Sequence, residues 1–165
     1  MLQQLSSPHF FSNNKTQLLN CLPLPPFTPQ HLNAPTMMQY LPIIAAGIAG
    51  WMFGAVWYGM FSTQWMKASK LTLDMVNPND KTPYLVSFLG AVATAAFTDH
   101  MYKLAGISTP QDGLVTGLGL GAFVAAPWTI NNILYGMRNR ALIYIDGGYA
   151  VFGCGAIGLV LCLLS

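Results

Sequence analysis

The sequence predicts an all-α protein, a four-helix transmembrane bundle with short loops. Four apolar stretches, each about the 20 residues needed to cross a bilayer, fill the chain from Tyr40 almost to its end. Charged residues make up 7% of the 165-residue chain, against about 25% in a soluble domain. Apolar residues reach 53%, and glutamate is absent. Nearly all the mass therefore belongs in lipid, and every polar residue inside an apolar stretch needs a reason to be there.

Residues 1–36 differ from the rest. Pro23, Pro25, Pro26, Pro29 and Pro35 crowd one segment, with Ser, Asn and Gln frequent before it. Such a composition lacks the apolar density for a core and reads as a disordered extension. The absence of Asp and Glu hints at an organelle-targeting presequence, although the lack of arginine speaks against a mitochondrial one. A start at Met37 or Met38 is the plainer alternative. The membrane domain is then 37–165.

The first span is expected over about 40–61. Pro42 lies in its first turn, where a missing N–H does no harm. Gly50 and Gly54 form a G-x-x-x-G step for close helix approach. Trp51, Trp57, Tyr58 and Trp65 suit the headgroup level. A polar loop with Lys67, Lys70, Asp74, Asp80 and Lys81 follows. The second span, about 84–104, carries Ser87, Ala91 and Ala95 at spacing four, and Asp99 and Lys103 continue that strip. The third, about 112–135, opens on Asp112 as an N-cap. Gly113, Gly117 and Gly121 make two further G-x-x-x-G steps, and Pro127 predicts a kink. Gly136 to Arg140 is a basic turn. The fourth span, about 142–164, is rich in glycine.

Cations flank the first-to-second and third-to-fourth connections. The positive-inside bias therefore predicts cytoplasmic basic loops and both termini on the non-cytoplasmic side. The net charge of +2 is too small and scattered for nucleic-acid binding. Cys154 and Cys162 lie about 12 Å apart along one helix, too far for a disulfide, and read as packing residues. No metal spacing, cofactor motif or nucleophile with its base is visible. The glycine steps follow no strand and precede no lysine, so they are not phosphate loops.

Two polar groups stand out. Asp146 lies roughly 6 Å inside one end of the fourth span, and four-helix geometry places it near Tyr58, Asn131, Asn132 and Arg138, with Gln64 approaching. This is either a small-ligand or ion site, or an interhelical clamp with Arg138 or Arg140 neutralising Asp146. The nearby arginines favour the clamp. Asp99 and His100 lie at the other end. Successive helix residues point about 100° apart, so an Asp99–Lys103 pair at spacing four is preferred to a proton relay.

Four features in order carry a resemblance: Trp57-Tyr58-Gly59 with Phe61 and Trp65-Met66, then Asp112-Gly113 with Gly117, then Asn131-Asn132 before Tyr135 and Arg138, and Asp146-Gly147-Gly148-Tyr149. From Tyr40 to Leu161 the chain resembles a family of small four-helix membrane proteins known only as a domain of unknown function. Met60 stands where such members commonly have proline. The resemblance implies fold and membrane location and no activity. The expected role is a non-enzymatic accessory, assembly or scaffold component working through its small-residue faces in the lipid bilayer. The alternative is an oligomeric transporter or channel that uses the polar cluster, as a homo-oligomer or with a membrane-protein partner. An enzyme acting on lipid or quinone comes last.

Overall fold

The computed structural model describes residues 37–75, 77 and 79–165. The expectations for residues 1–36 lie outside them. Among the described residues the chain is all-α, with no strand. Its elements are α1 (Leu41–Met60), α2 (Ser62–Ser69), α3 (Thr82–Ala105), α4 (Pro110–Leu120), a π-helical turn (Gly121–Ala125), α5 (Ala126–Tyr135) and α6 (Ala141–Leu164). Short 3-10 turns cover Met37–Gln39 and Leu73–Met75.

Three helical rods are long and apolar enough to cross a membrane: α1, the continuous α4–α5 rod over Pro110–Tyr135, and α6. The sequence predicts four helices, and the structure has a fifth, α2. The backbone leaves helical geometry at Phe61 (φ −100°, ψ 13°). Beyond it α2 turns so that Ala68 and Trp65 pack with Ile133, Leu142 and Ile143. Lys70 then ends α2 in the left-handed region. The helix α3 is long, but Thr94, Thr98, Asp99, His100 and Lys103 dilute its apolar character. Asp80 lies one residue before the N-cap Lys81 and accepts the Thr82 amide at 2.9 Å. The Thr82 hydroxyl and amide hold the Asp80 carboxyl below the usual carboxylate range.

The third rod begins earlier than its acidic residue suggested. Thr109 is the N-cap and Asp112 sits one turn inside, donating its amide to Thr109 Oγ1 at 3.2 Å while Thr109 Oγ1 donates to Asp112 Oδ2 at 2.7 Å. Cap and carboxylate thus satisfy each other across the first turn. Pro127 acts two residues downstream of the distortion it causes. It has no N–H and its ring crowds the preceding turn. The chain absorbs this as the π turn, where the Ala126 amide reaches back to the Gly121 carbonyl.

The helices do not form a closed ring. The last helix, α6, is the hub: it packs along α4 and α5 on one side and α1 on the other, while α3 leans chiefly on α1. Glycine makes these approaches possible. A Cβ on Gly117 would stand 2.5 Å from the Cys154 carbonyl oxygen, and one on Gly121 would stand 2.5 Å from Val151 Cα. Gly113 lies against Cys162 and Gly158, Gly50 against Ile157, and Gly54 against Tyr149. With lipid tails as apolar as the side chains, such close packing is what holds helices together.

At one end α3 and α4 are tied. Gly106 ends α3 at φ 70°, a conformation glycine adopts without strain. The short connection lets the Tyr102 hydroxyl donate to the Gly113 carbonyl at 2.6 Å. From that tie α3 and the α4–α5 rod diverge, leaving one face of α6 uncovered.

Candidate functional site

The space between α3 and the α4–α5 rod is a cleft of 490 Å³. Its floor is α6 from Asp146 to Ile157; its walls are Ser87, Gly90, Ala91 and Thr94 on α3 and Ala125 and Thr129 opposite. Two adjoining cavities, of 260 Å³ toward Trp51 and 690 Å³ toward the α2–α3 connection, meet it at Tyr58 and Ser87. The wall hydroxyls are locally satisfied: Thr94 donates to the Gly90 carbonyl and Thr129 to the Ala125 carbonyl, each at 2.9 Å. The Pro127-driven π turn therefore sits on the cleft wall, a place where such turns often serve function.

At the polar end stands Asp146. Its Oδ1 accepts two hydrogen bonds, from the Tyr58 hydroxyl and the Trp65 indole N–H, both at 3.1 Å. Next to it, Trp57 Nε1 donates to the Ile145 carbonyl at 2.9 Å. These three aromatics come from the end of α1 and from α2, and the turn at Phe61 aims Trp65 back toward α6. Two sequence motifs thus dock on each other. Gly148 gives Trp57 its seat, since a Cβ there would stand 2.8 Å from the indole. Tyr149 meets Tyr58 with ring centroids 5.3 Å apart, and Tyr58 meets Trp65 edge-on at 6.0 Å.

Of the residues singled out in the sequence, Tyr58 and Asp146 come together. Asn131, Asn132 and Arg138 do not join them; all three are exposed, because α5 is covered only where Ala126 and Ile133 face α6. Among the described residues neither Arg138 nor Arg140 pairs with Asp146, whose clamp is aromatic instead. Gln64 is also exposed, and its neighbour Trp65 supplies the contact. Spacing gave no signal for this contact, because the backbone break at Phe61 lies between Tyr58 and Trp65 and sets where Trp65 points.

At the other end Asp99 is buried, and Lys103 Nζ lies 2.7 Å from its Oδ2. His100 is exposed on a different face. Thr98 Oγ1 is buried without a partner. No group of three or more His, Cys, Asp or Glu suited to a metal exists among the described residues. Cys154 and Cys162 are free.

A family model described as a protein of unknown function (DUF1761) matches residues 41–162. The chain belongs to this family. The match covers α1 through most of α6, so the docked motifs, the cleft and the glycine seam all lie within the DUF1761 region. Searches of curated proteins and of solved structures gave no match.

Proposed function

We propose that this DUF1761 protein is a four-span integral membrane protein that binds a small apolar or amphipathic molecule, without catalysis, in the cleft between α3 and α5. The four spans would be α1, α3, the α4–α5 rod and α6, with α2 lying at the membrane face. At 24 residues, α3 is about 36 Å long, enough for a hydrocarbon core of about 30 Å. Its most costly polar groups are internally placed or paired: Thr98 and Asp99 are buried, and Lys103 accompanies Asp99. Loop cations put the α1–α3 and α5–α6 connections, Lys67 to Arg140, on the cytoplasmic side.

The observation that carries the binding reading is the cleft itself, 490 Å³ with Asp146 at one end. Ligand sites are concave and mostly apolar, with few polar groups, and this space has that character. The accessory role rested on the abundance of small-residue faces and the lack of extramembrane mass. Gly50, Gly54, Gly113, Gly117 and Gly121 all lie against α6 of the same chain, so those five glycines serve packing within the chain. Transport by an oligomer stays compatible with the cleft. Exposed Asn131 and Asn132 favour self-association through α5, since amides facing lipid gain from a partner helix.

Two experiments test the reading. Native mass spectrometry of the purified chain should find a bound small molecule that Gly90→Phe removes; a Cβ at Gly90, on the cleft wall, meets nothing within 4 Å, so a side chain can start there without displacing its neighbours. Equal occupancy in both proteins would sink the cleft as a site. For topology, single cysteines at the exposed Thr72 and Ser108 should label from opposite sides. Labelling from one side would contradict a crossing by α3.

A further inference from the structure

We propose that the cleft selects a lipophilic organic cation, its charge beside Asp146 and its apolar body lying along α3 and α5. This rests on the cleft being a binding site and adds the class of ligand. Five acidic residues occur in the chain, and within the proposed spans they differ in their charge balance. Asp99 has Lys103 at 2.7 Å. Asp112 sits in the first turn of α4, where the positive end of the helix favours it. Asp146 has no cation within ion-pair distance among the described residues; Arg138 acts on its partner Tyr58 only at longer range, and its two hydrogen-bond partners, Tyr58 and Trp65, are neutral donors. They fix Oδ1 in place without cancelling the charge.

The surroundings specify what can supply the missing charge. Tyr58, which bonds Asp146, meets Trp65 on one side and Tyr149 on the other, and aromatic faces attract cations within about 6 Å of the ring. A small metal ion would surrender its hydration shell for a single carboxylate, whereas hard cations demand about six oxygen ligands. An anion would meet the carboxylate directly. A weakly hydrated quaternary ammonium or phosphonium loses little water and gains both the carboxylate and the rings. The mainly apolar walls beyond Asp146, with Gly90 and Ala91 opposite Ala125, accept its hydrocarbon part.

The test uses the full chain in nanodiscs of zwitterionic lipid, with empty nanodiscs correcting for partitioning. Two probes share one shape class: methyltriphenylphosphonium, a cation, and triphenylphosphine oxide, which is neutral. The wild type should bind the cation at least about tenfold more tightly than the neutral probe. Asp146→Asn, whose amide oxygen still accepts from Tyr58 and Trp65, should erase that preference, the two probes then binding alike. Gly90→Phe should abolish binding of both. Equal affinity of the wild type for the two probes, a comparison that needs no variant to fold, overturns the charge inference and leaves the cleft standing. So does a preference that survives Asp146→Asn. Failure of both probes to bind, or indifference of both to Gly90→Phe, overturns the cleft and the inference together.

Discussion

The two long flanks of α6 are built on opposite principles. Against α4, glycine meets glycine: Gly113 and Gly117 press on Gly158 and Gly155, and there is no room for a methyl group. On the face between α3 and α5, Gly90 has nothing within 4 Å of where its Cβ would be, and the cleft opens beside it. The same residue type is thus a close-packing device at one site and an empty position at the other. Spacing alone does not tell the two apart; the difference lies in which backbone comes opposite.

That contrast can be broken from either side. The largest expected effect is at the seam. Gly117→Ala drives a methyl group into the Cys154 carbonyl, a backbone atom that cannot rotate away. It should cost about 3 kcal/mol, the upper end of overpacking penalties, in thermal or detergent-induced unfolding. A loss below the scatter of surface substitutions would mean that the seam is loose.

Next come the donors on Asp146. Trp65→Phe and Tyr58→Phe each remove one hydrogen bond to a charged acceptor, and each should cost about 1.5–3 kcal/mol. Their effects should be non-additive because they share Oδ1. Strict additivity in a double-mutant cycle would argue against the shared clamp.

Smaller effects of opposite sign follow. Thr98→Val replaces a buried hydroxyl that has no partner with a methyl group of similar size, and should stabilise by about 1 kcal/mol. At the open face Gly90→Ala should stabilise by about 0.5–1 kcal/mol through helix propensity alone. A destabilising Gly90→Ala would show that the cleft wall is packed in solution, and the contrast between the two flanks would then fail.

Much of the fold was legible because lipid imposes length and composition on a span. The apolar runs marked α1, the α4–α5 rod and α6 to within a few residues of their ends. Pro127 announced a distortion, although its form, a π turn before the proline, depends on which carbonyl the ring displaces. The helix α2 stayed hidden because nothing in the composition at Phe61 marks the break. The break is settled by Trp65 and Ala68 finding Ile133 and Leu142, which lie some 70 residues on in the sequence.

The candidate site was half legible for the same reason. Asp146 and Tyr58 stood out as polar groups near one membrane face. Placing Asn131, Asn132 and Arg138 beside them assumed a closed ring of four helices. The divergence of α3 from the α4–α5 rod opens that ring, and the amides fall outside. Trp65 was visible as an interfacial aromatic, but its role as a donor to Asp146 depended on the turn at Phe61. The abundance of glycine in α6 marked a packed helix; that it is the hub of the whole fold is a property of contacts rather than of spacing.

The central claim is that the cleft, apolar along its walls with Asp146 at one end, is a water-accessible binding space rather than a groove filled by bilayer lipid. Cysteine accessibility in native membranes tests it most directly, in a background with Cys21, Cys154 and Cys162 replaced. A cysteine at Gly90, on the cleft wall, is compared with one at Leu89, its exposed neighbour outside the cleft lining. A charged, water-soluble thiol reagent should modify Gly90→Cys at least about tenfold faster than Leu89→Cys, since thiolates form where water reaches. Equal and slow modification of both would mean that the space beside Asp146 is filled by lipid, and the account of it as a ligand site would be contradicted.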